Sequence, residues 1–164
     1  MHGSKGYNSK LSILFVCNAN ACRSAMAEAL CRRMLSEMGV IDVEVHSAGL
    51  DTTGGHPASE GAIAAMERGG LDLSEFRTAK LTGDKVGAAD LILTMTRVEK
   101  LLILRGYPEK EGRVFTLKDY GGGFLNSDIE DPGDRGLEGH LQCAREINAA
   151  TRRALDKILV RACQ

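Results

Sequence analysis

The chain has 164 residues, 43% of them hydrophobic, which suits one domain with a substantial core and is too short for two ordinary domains. The formal net charge of −1 and the pI near 6.4 exclude the broad basic surface typical of nucleic-acid-binding proteins. No apolar run approaches the roughly 20 residues of a membrane span, and the opening MHGSKGYNSK lacks the apolar core of a secretory signal, so we expect a cytoplasmic protein without a membrane partner.

Short apolar runs alternate along the chain with segments of helical periodicity. The runs that predict buried strands are 11–16, 43–46, 91–95 and 113–117. The helices predicted between them end near the glycines at 39, 69–70 and 106. The third of these helices opens with a capping-box pattern, Thr96 and Glu99, and continues through Val98, Leu101 and Leu102. After a loop over 119–136, a long closing helix carries an apolar face from Leu137 to Ile158.

This alternation predicts an α/β fold in which a parallel sheet lies between layers of helices. We expect a single domain over 11–164, and we interpret residues 1–10 as a disordered or expression-derived end. Ligands of such sheets bind beyond the carboxyl ends of the strands, and Cys17 immediately follows the first predicted strand.

The stretch CNANACRS (17–24) places a thiol and a guanidinium across a loop of small residues that leads into a helix. Such a loop turns backbone N–H groups and the positive end of the helix dipole toward one point, which suits a phosphate-sized oxyanion and favours a thiolate at Cys17. Arg23 can donate two parallel hydrogen bonds to phosphate oxygens, and the Ser24 hydroxyl lies near enough in sequence to stabilise the sulfur. Transfer of a phosphoryl group to Cys17 also needs a general acid from elsewhere in the chain.

The same stretch resembles the low-molecular-weight protein tyrosine phosphatase family, whose pattern there is Cys-x-Gly-Asn-x-Cys-Arg-Ser. Segments in the same order as the family's extend over nearly the whole chain: HSAGL (46–50), ADLILTMT (89–96), VFTLKDY (114–120) and DIEDPGD (128–134). The resemblance implies a four-stranded parallel sheet in a Rossmann-like or flavodoxin-like three-layer sandwich. It also implies a cytoplasmic phosphatase that acts on phosphorylated proteins without a cofactor or metal, as a monomer or weak dimer.

Carried over residue by residue, the resemblance makes Cys17 the nucleophile, Arg23 the phosphate clamp and Asp131, which precedes Pro132, the general acid and base. It makes Asn20 and Ser47 a pair that supports the loop, and Ser24 the hydroxyl beside the thiolate. The residues it assigns to phosphate binding are Asn18, Ala19, Asn20, Ala21, Cys22, Arg23 and Ser24.

Three features depart from the family pattern. Ala19 replaces a glycine, which is harmless at negative φ and costly at positive φ. Ala21 is smaller than the apolar residue of tyrosine-type members and differs from the threonine of arginine-type members. Gly133 and Asp134 follow Asp-Pro where tyrosine-type members carry tyrosines, so an aromatic substrate ring finds less to stack on. The segment VFTLKDY and the closing helix look more like those of the bacterial protein arginine phosphatases. We therefore favour phosphoarginine over phosphotyrosine as the substrate side chain.

Several alternatives stay open at this stage. Cys22 either packs or captures an oxidised Cys17 as a reversible disulfide, and Asp128 and Asp134 compete with Asp131 as candidate acids. A thiol-dependent arsenate reductase would use a similar loop but needs further downstream cysteines, and none lies between Cys31 and Cys143. A non-catalytic phosphoprotein-binding module would keep the loop without needing the thiol or the acid.

The odd number of cysteines, five, favours reduced thiols over a disulfide framework, and the histidine spacing does not predict a metal site.

Overall fold

The computed structural model describes residues 10–162 and contains one four-stranded, all-parallel sheet with strand order β2-β1-β3-β4. The strands are β1 (Leu11–Cys17), β2 (Val43–Gly49), β3 (Leu91–Thr94) and β4 (Val114–Thr116). The helices are α1 (Arg23–Glu37), α2 (Glu60–Arg68), α3 (Gly83–Ala88), α4 (Arg97–Gly106), α5 (Leu117–Gly121) and α6 (Gly136–Ala162), with a short 3₁₀ turn at Pro108–Lys110. The predicted α/β class and four-stranded parallel sheet are confirmed. The interpretation of residues 1–9 and any role of Cys163 lie outside the described residues.

The sheet is buried on both faces, which explains why its strands read as continuous apolar runs. Side chains alternate along β1, so that Ile13 and Phe15 enter one core and Leu14 and Val16 enter another. The first and larger core lies against α1, α2, α5 and α6, and the second lies against α3 and α4. The central strand β1 is therefore held on both sides, and its carboxyl end at Cys17 is a rigid support for the loop that follows.

Two short helices and the exact ends of the strands differ from the sequence prediction. The strand predicted over 113–117 ends at Thr116, whose side chain accepts a hydrogen bond from the N–H of Asp119; α5 therefore starts at the last residue of the predicted strand and extends into the predicted loop. Helix α3 was not predicted either. These helices span five and six residues, and segments that short do not show helical periodicity.

The third predicted helix forms where expected, but the apolar residues on which it was predicted do not build the core. The capping box of Thr96 and Glu99 is present at the start of α4. The buried side chains of α4 are Glu99 and Ile103, whereas Val98, Leu101 and Leu102 are exposed. By contrast, the closing helix α6 buries Ile147, Leu155 and Ile158 as its periodicity predicts. No helix among residues 10–162 combines the length and apolar character needed to cross a bilayer.

Candidate active site

The loop 18–22 joins β1 to α1 and is pressed against the end of the neighbouring strand β2. The N–H of Leu50 donates to the Cys17 carbonyl at 3.1 Å, and the N–H of Asp51 donates to the Asn18 carbonyl at 2.8 Å. A Cβ atom at Gly49 would lie 2.9 Å from backbone atoms of Asn18 and Ala19, so the close approach requires glycine here. These contacts with the end of β2 fix the position of the loop.

The Cys17 sulfur is buried and meets two hydrogen-bonding groups of the same loop and helix. The N–H of Asn20 donates to Sγ at 3.3 Å, and the Ser24 hydroxyl lies 2.9 Å from Sγ. Ser24 Oγ also accepts a hydrogen bond from the side-chain amide of Asn20 at 2.8 Å, which leaves the hydroxyl proton available to the sulfur. Both groups are thus placed to donate a hydrogen bond to the sulfur.

Asn20 connects the loop to two other segments of the chain. Its backbone has a φ of 60°, and it is the only non-glycine residue within 10–162 at positive φ. Its Nδ2 donates to Ser47 Oγ at 3.0 Å, and its Oδ1 accepts from the N–H of Ala79 at 2.8 Å. Ala19 is not at positive φ, so the replacement of the family glycine carries no backbone strain.

Ser47 in turn donates to Glu28 of α1, and this contact extends the network below the loop. The Ser47 hydroxyl donates to Glu28 Oε2 at 3.0 Å, and the other carboxylate oxygen, Oε1, accepts from Arg32 Nη2 at 2.9 Å. The hydrogen bonds therefore run without a break from Cys17 through Ser24, Asn20 and Ser47 to Glu28. Sequence reasoning had not singled out Glu28, although an acidic residue within the small and apolar SAMAEAL was a signal for it.

Arg23 is the first residue of α1 and is only 6% exposed. Its Nη1 donates to the Ile129 carbonyl at 3.0 Å, and its Nη2 lies 3.8 Å from Glu99 Oε2 and 3.7 Å from Asp131 Oδ2. Of the five N–H donors of the guanidinium, one is thus committed to a backbone carbonyl. The side chain is held at one end of the loop, where its remaining donors can meet a phosphate.

Glu99 is a second residue that the sequence analysis had assigned no part in the site. Its Oε1 accepts the N–H groups of Met95 and Thr96 at 3.0 and 2.9 Å, as the capping box requires, and Oε2 faces Arg23. Burial raises the pKa of the Glu99 carboxyl above its ordinary value, against the opposing effects of Arg23 and of these backbone hydrogen bonds. The residue joins the start of α4 to the phosphate-loop arginine.

The segment that carries Asp131 is anchored through the residues just before it. The N–H of Ile129 donates to the Met95 carbonyl at 2.8 Å, and Lys118 Nζ donates to the Asp128 carbonyl at 3.1 Å while pairing with Glu146 at 3.1 Å. These contacts tie the segment to the end of β3, to α5 and to α6. An otherwise irregular loop is thereby brought back to the phosphate loop.

The structure distinguishes the three candidate acids by their contacts. Asp131 Oδ2 faces Arg23, and its Oδ1 accepts the N–H of Gly133 at 2.9 Å, while its side chain remains 63% exposed. Asp128 Oδ1 instead accepts the N–H of Arg97 at 2.9 Å and pairs with that residue's guanidinium at 3.5 Å, so it is committed to the start of α4. Asp134 is exposed and its side chain makes no hydrogen bond or ion pair within 10–162. Of these three carboxyl groups, only that of Asp131 faces Arg23.

The four described cysteines, Cys17, Cys22, Cys31 and Cys143, are free thiols. Burial raises the pKa of Cys22 to about 12, with Cys143, Asp131 and Cys17 nearby adding to the rise and a hydrogen bond with Ser59 opposing it. Burial likewise raises the pKa of Cys31 and of Cys143 to about 12. These three thiols are therefore neutral at physiological pH.

Two of the segments beside the loop lack large aromatic side chains. The acid segment 128–136 and the segment 50–58 after β2 contain neither Phe, Tyr nor Trp, and Ala21 contributes only a methyl group. Among residues 10–162 no group of His, Cys, Asp and Glu is arranged to hold a metal ion. His46 is paired with Glu44 at 3.7 Å, and His56 contacts Thr53 at 2.8 Å.

The chain is similar to known phosphatases over most of its length. The family model described as "Low molecular weight phosphotyrosine protein phosphatase" matches residues 12–162. The probable low molecular weight protein-tyrosine-phosphatase EpsP of Ralstonia solanacearum is 43% identical over 74% of this chain and 77% of its own length. The protein-arginine-phosphatase of Bacillus subtilis (strain 168) is 32% identical over 87% of this chain and 93% of its own length.

Solved structures agree with this similarity. The crystal structure of the low molecular weight protein tyrosine phosphatase from T. tengcongensis superimposes with a TM-score of 0.84 at 34% identity, covering 90% of this chain and 99% of that one. The fold, the order of the motifs and the matched range agree from β1 to α6. The chain is therefore a member of the low-molecular-weight phosphotyrosine protein phosphatase family.

Proposed function

We propose that this protein removes phosphoryl groups from protein side chains, with Cys17 as nucleophile. The observation that carries the proposal is the convergence on one loop of the buried Cys17 sulfur, the buried Arg23 guanidinium and the Asp131 carboxyl. The Cys17 thiolate attacks phosphorus while Arg23 and the N–H groups of residues 18–24 bind the phosphate oxygens. The bond from phosphorus to the leaving oxygen or nitrogen breaks as the sulfur–phosphorus bond forms.

Asp131 completes both halves of the reaction in this proposal. As the protonated acid it donates a proton to the leaving group in the first step. The resulting carboxylate then accepts a proton from a water molecule, which attacks the cysteinyl phosphate and releases inorganic phosphate and the Cys17 thiolate. The exposure of the Asp131 side chain suits this role, because the same carboxyl has to meet substrate and then water.

Asn20 and Ser47 support the loop rather than act on the substrate. Their hydrogen bonds hold the left-handed turn at Asn20 and direct the Ser24 hydroxyl to the sulfur. Ser24 thereby stabilises the thiolate in the resting enzyme and the sulfur as it leaves phosphorus. In this proposal neither the transfer of the phosphoryl group to Cys17 nor the hydrolysis of the cysteinyl phosphate needs a cofactor or a metal.

We further propose that phosphoarginine is the preferred substrate side chain. The segments 50–58 and 128–136 offer no Phe, Tyr or Trp ring to stack against phosphotyrosine, and the exposed carboxylate of Asp134, within the acid segment, would favour a guanidinium. The similarity to the arginine phosphatase of Bacillus subtilis over 87% of the chain supports this choice. Phosphotyrosine is the second candidate, favoured by the 43% identity to the probable tyrosine phosphatase EpsP.

The test is steady-state hydrolysis of matched phosphoarginine and phosphotyrosine peptides that differ only in the phosphorylated side chain. Cys17→Ser serves as the blank for contaminating activity. We expect a higher kcat/KM for the phosphoarginine peptide and no turnover by the variant. A preference for phosphotyrosine would reverse the substrate assignment while leaving the phosphatase activity intact.

The same preparation separates the other candidate functions. Phosphate binding without turnover by the wild-type protein would identify a phosphoprotein-binding module. Thiol-coupled reduction of arsenate would identify a reductase, although among residues 10–162 no cysteine lies between Cys31 and Cys143 to exchange disulfides. We expect neither result, because the Cys17 and Asp131 positions that a phosphatase needs are both filled.

The proposed partners are phosphorylated proteins, bound by a monomer or weak dimer without nucleic acid. A nucleophilic thiol works in its reduced form, and all four described cysteines are free. We therefore propose a reducing compartment, the cytoplasm, as the site of action. Sedimentation velocity across a range of protein concentrations tests the oligomeric state.

A further inference from the structure

Helix α4 presents an apolar strip to solvent, although its first turn belongs to the active site. Val98, Leu101 and Leu102 are 64%, 65% and 51% exposed, and with Arg105 they occupy positions i, i+3, i+4 and i+7 on one side of the helix. Isolated exposed apolar residues are ordinary, but three on one helical face form a patch that usually meets another molecule. We define the α4 strip as Val98, Leu101 and Leu102.

Cations border the α4 strip, and no exposed anion of the helix opposes them. Arg97, Lys100 and Arg105 are the basic residues of α4, while its one acidic residue, Glu99, is buried and faces Arg23. Arg97 is already paired with Asp128, and Lys100 lies over the Phe115 ring at 5.7 Å on the other side of the helix, which leaves Arg105, in line with the strip, as the positive charge that a partner meets. A partner that fits this surface carries apolar side chains interspersed with carboxylates.

The helix that carries the α4 strip begins at the substrate site. Helix α4 begins one residue after Thr96, its Glu99 contacts the phosphate-loop arginine, and its first N–H is capped by Asp128 of the acid segment. A ten-residue helix is about 15 Å long, which an extended peptide covers in roughly five residues. A protein whose phosphorylated side chain occupies the loop therefore has neighbouring residues within reach of Leu101 and Leu102.

We propose that the α4 strip is a docking surface for the phosphoprotein substrate, which it binds through a segment of apolar and acidic residues about four to eight positions from the phosphorylated side chain. This proposal rests on the phosphatase function proposed above and adds a determinant of substrate choice outside the phosphate loop. Docking there raises the affinity for protein substrates and leaves the chemical step unchanged. It therefore acts on KM rather than on kcat.

The experiment uses two phosphopeptides of the same length and the small substrate p-nitrophenyl phosphate. In the first peptide Leu and Glu occupy positions four to eight on both sides of the phosphorylated residue, and in the second Ser replaces every Leu. The enzyme forms are wild type, the double variant Leu101→Ser with Leu102→Ser, and Val160→Ser. Val160 is 61% exposed near the far end of α6, so its variant controls for the loss of an exposed apolar side chain on a helix.

We expect wild type and Val160→Ser to hydrolyse the leucine peptide with about tenfold higher kcat/KM than the serine peptide, mainly through KM. In the double variant this difference disappears, while hydrolysis of p-nitrophenyl phosphate is unchanged in all three enzymes. Fluorescence anisotropy with the unphosphorylated leucine peptide follows binding without turnover, and we expect about tenfold weaker binding to the double variant.

Other results would overturn the proposal in distinguishable ways. Equal kcat/KM for the two peptides with wild type would show that the α4 strip does not dock substrate. An equal loss on p-nitrophenyl phosphate in the double variant would show that the strip acts through the structure of the site. Cosedimentation of wild type, but not the double variant, with phosphatidylglycerol vesicles would assign the strip to a membrane surface. A wild-type dimer that the double variant loses would assign it to a second copy of this chain. Absence of all Cys17-dependent hydrolysis would instead refute the phosphatase function itself, whatever the anisotropy shows.

Discussion

Replacing Asn20 tests whether the phosphate loop is held by a strained turn and its hydrogen bonds. The side chain is buried, adopts a φ of 60° and makes three hydrogen bonds, to Ser24, Ser47 and the N–H of Ala79. A net contribution of about 1 kcal/mol for each bond gives a loss of about 3 kcal/mol on removing the side chain. That is a large fraction of the stability of an ordinary domain.

Two variants separate the hydrogen bonds from the backbone strain. Asn20→Gly loses the three bonds but tolerates positive φ, so we expect it to lower the free energy of unfolding by about 3 kcal/mol. Asn20→Ala loses the same bonds and keeps a Cβ in the left-handed region without the local side-chain hydrogen bonds that let asparagine tolerate it, which adds about 1 kcal/mol. In both variants we expect a lower kcat/KM even where the chain is folded, because Ser24 and the loop lose their support.

Urea unfolding at constant pH measures these differences, with kcat/KM for p-nitrophenyl phosphate recorded below the unfolding transition. Asn18→Ala is the matched control, because Asn18 is an exposed residue of the same loop whose side chain makes no hydrogen bond within 10–162. We expect the control to stay within about 0.5 kcal/mol of wild type. Equal stability of the alanine and glycine variants would refute the role of backbone strain, and wild-type stability in both would refute the network.

Two further predictions concern carboxyl groups of the site. Asp131→Asn removes the proposed acid while keeping the side chain's shape. We expect hydrolysis of substrates with poor leaving groups to slow by about 10²- to 10⁴-fold, with phosphate affinity largely retained. Unchanged rates would exclude Asp131 as the acid. In the folded protein Glu99 has a raised pKa, so it holds its proton to higher pH than it does in the unfolded chain. Wild type should therefore lose stability relative to Glu99→Gln as the pH rises from 4.5, the ordinary pKa of a glutamate, through the folded pKa. Urea midpoints from pH 4 to 7 measure this difference, and parallel curves for the two proteins would contradict it.

The parts of the fold that were predictable from sequence are those encoded by neighbouring residues. The buried strands, the capping box of Thr96 with Glu99 and the apolar face of α6 each follow from a pattern within one segment. Helices α3 and α5 escaped prediction because their five or six residues complete less than two turns. The exposed residues of α4 were misleading for a different reason, since periodicity identifies an apolar face but not what covers it.

Within the site the same division separates the loop from its supports. Residues 17–24 are contiguous, so the spacing of Cys17 and Arg23 already predicts a shared ligand. The groups that fix Arg23 come from far along the chain, at Glu99, Ile129 and Asp131. Their approach depends on how the sheet brings the ends of β1 and β3 together, and no local pattern records it.

The contrast between the contiguous loop and the segments distant in sequence also indicates which residues select the substrate. The chemistry of phosphoryl transfer depends on the contiguous loop, where this chain departs from the fixed residues of the family pattern only at Ala19, and there without positive φ. The surroundings of the substrate side chain come from a variable position of the loop, Ala21, and from a separate segment at Gly133, and at both the chain lacks the larger side chains of tyrosine-type members. Because contacts to the phosphate are common to every substrate, discrimination has to arise from these walls and from surfaces beyond them, such as the exposed face of α4.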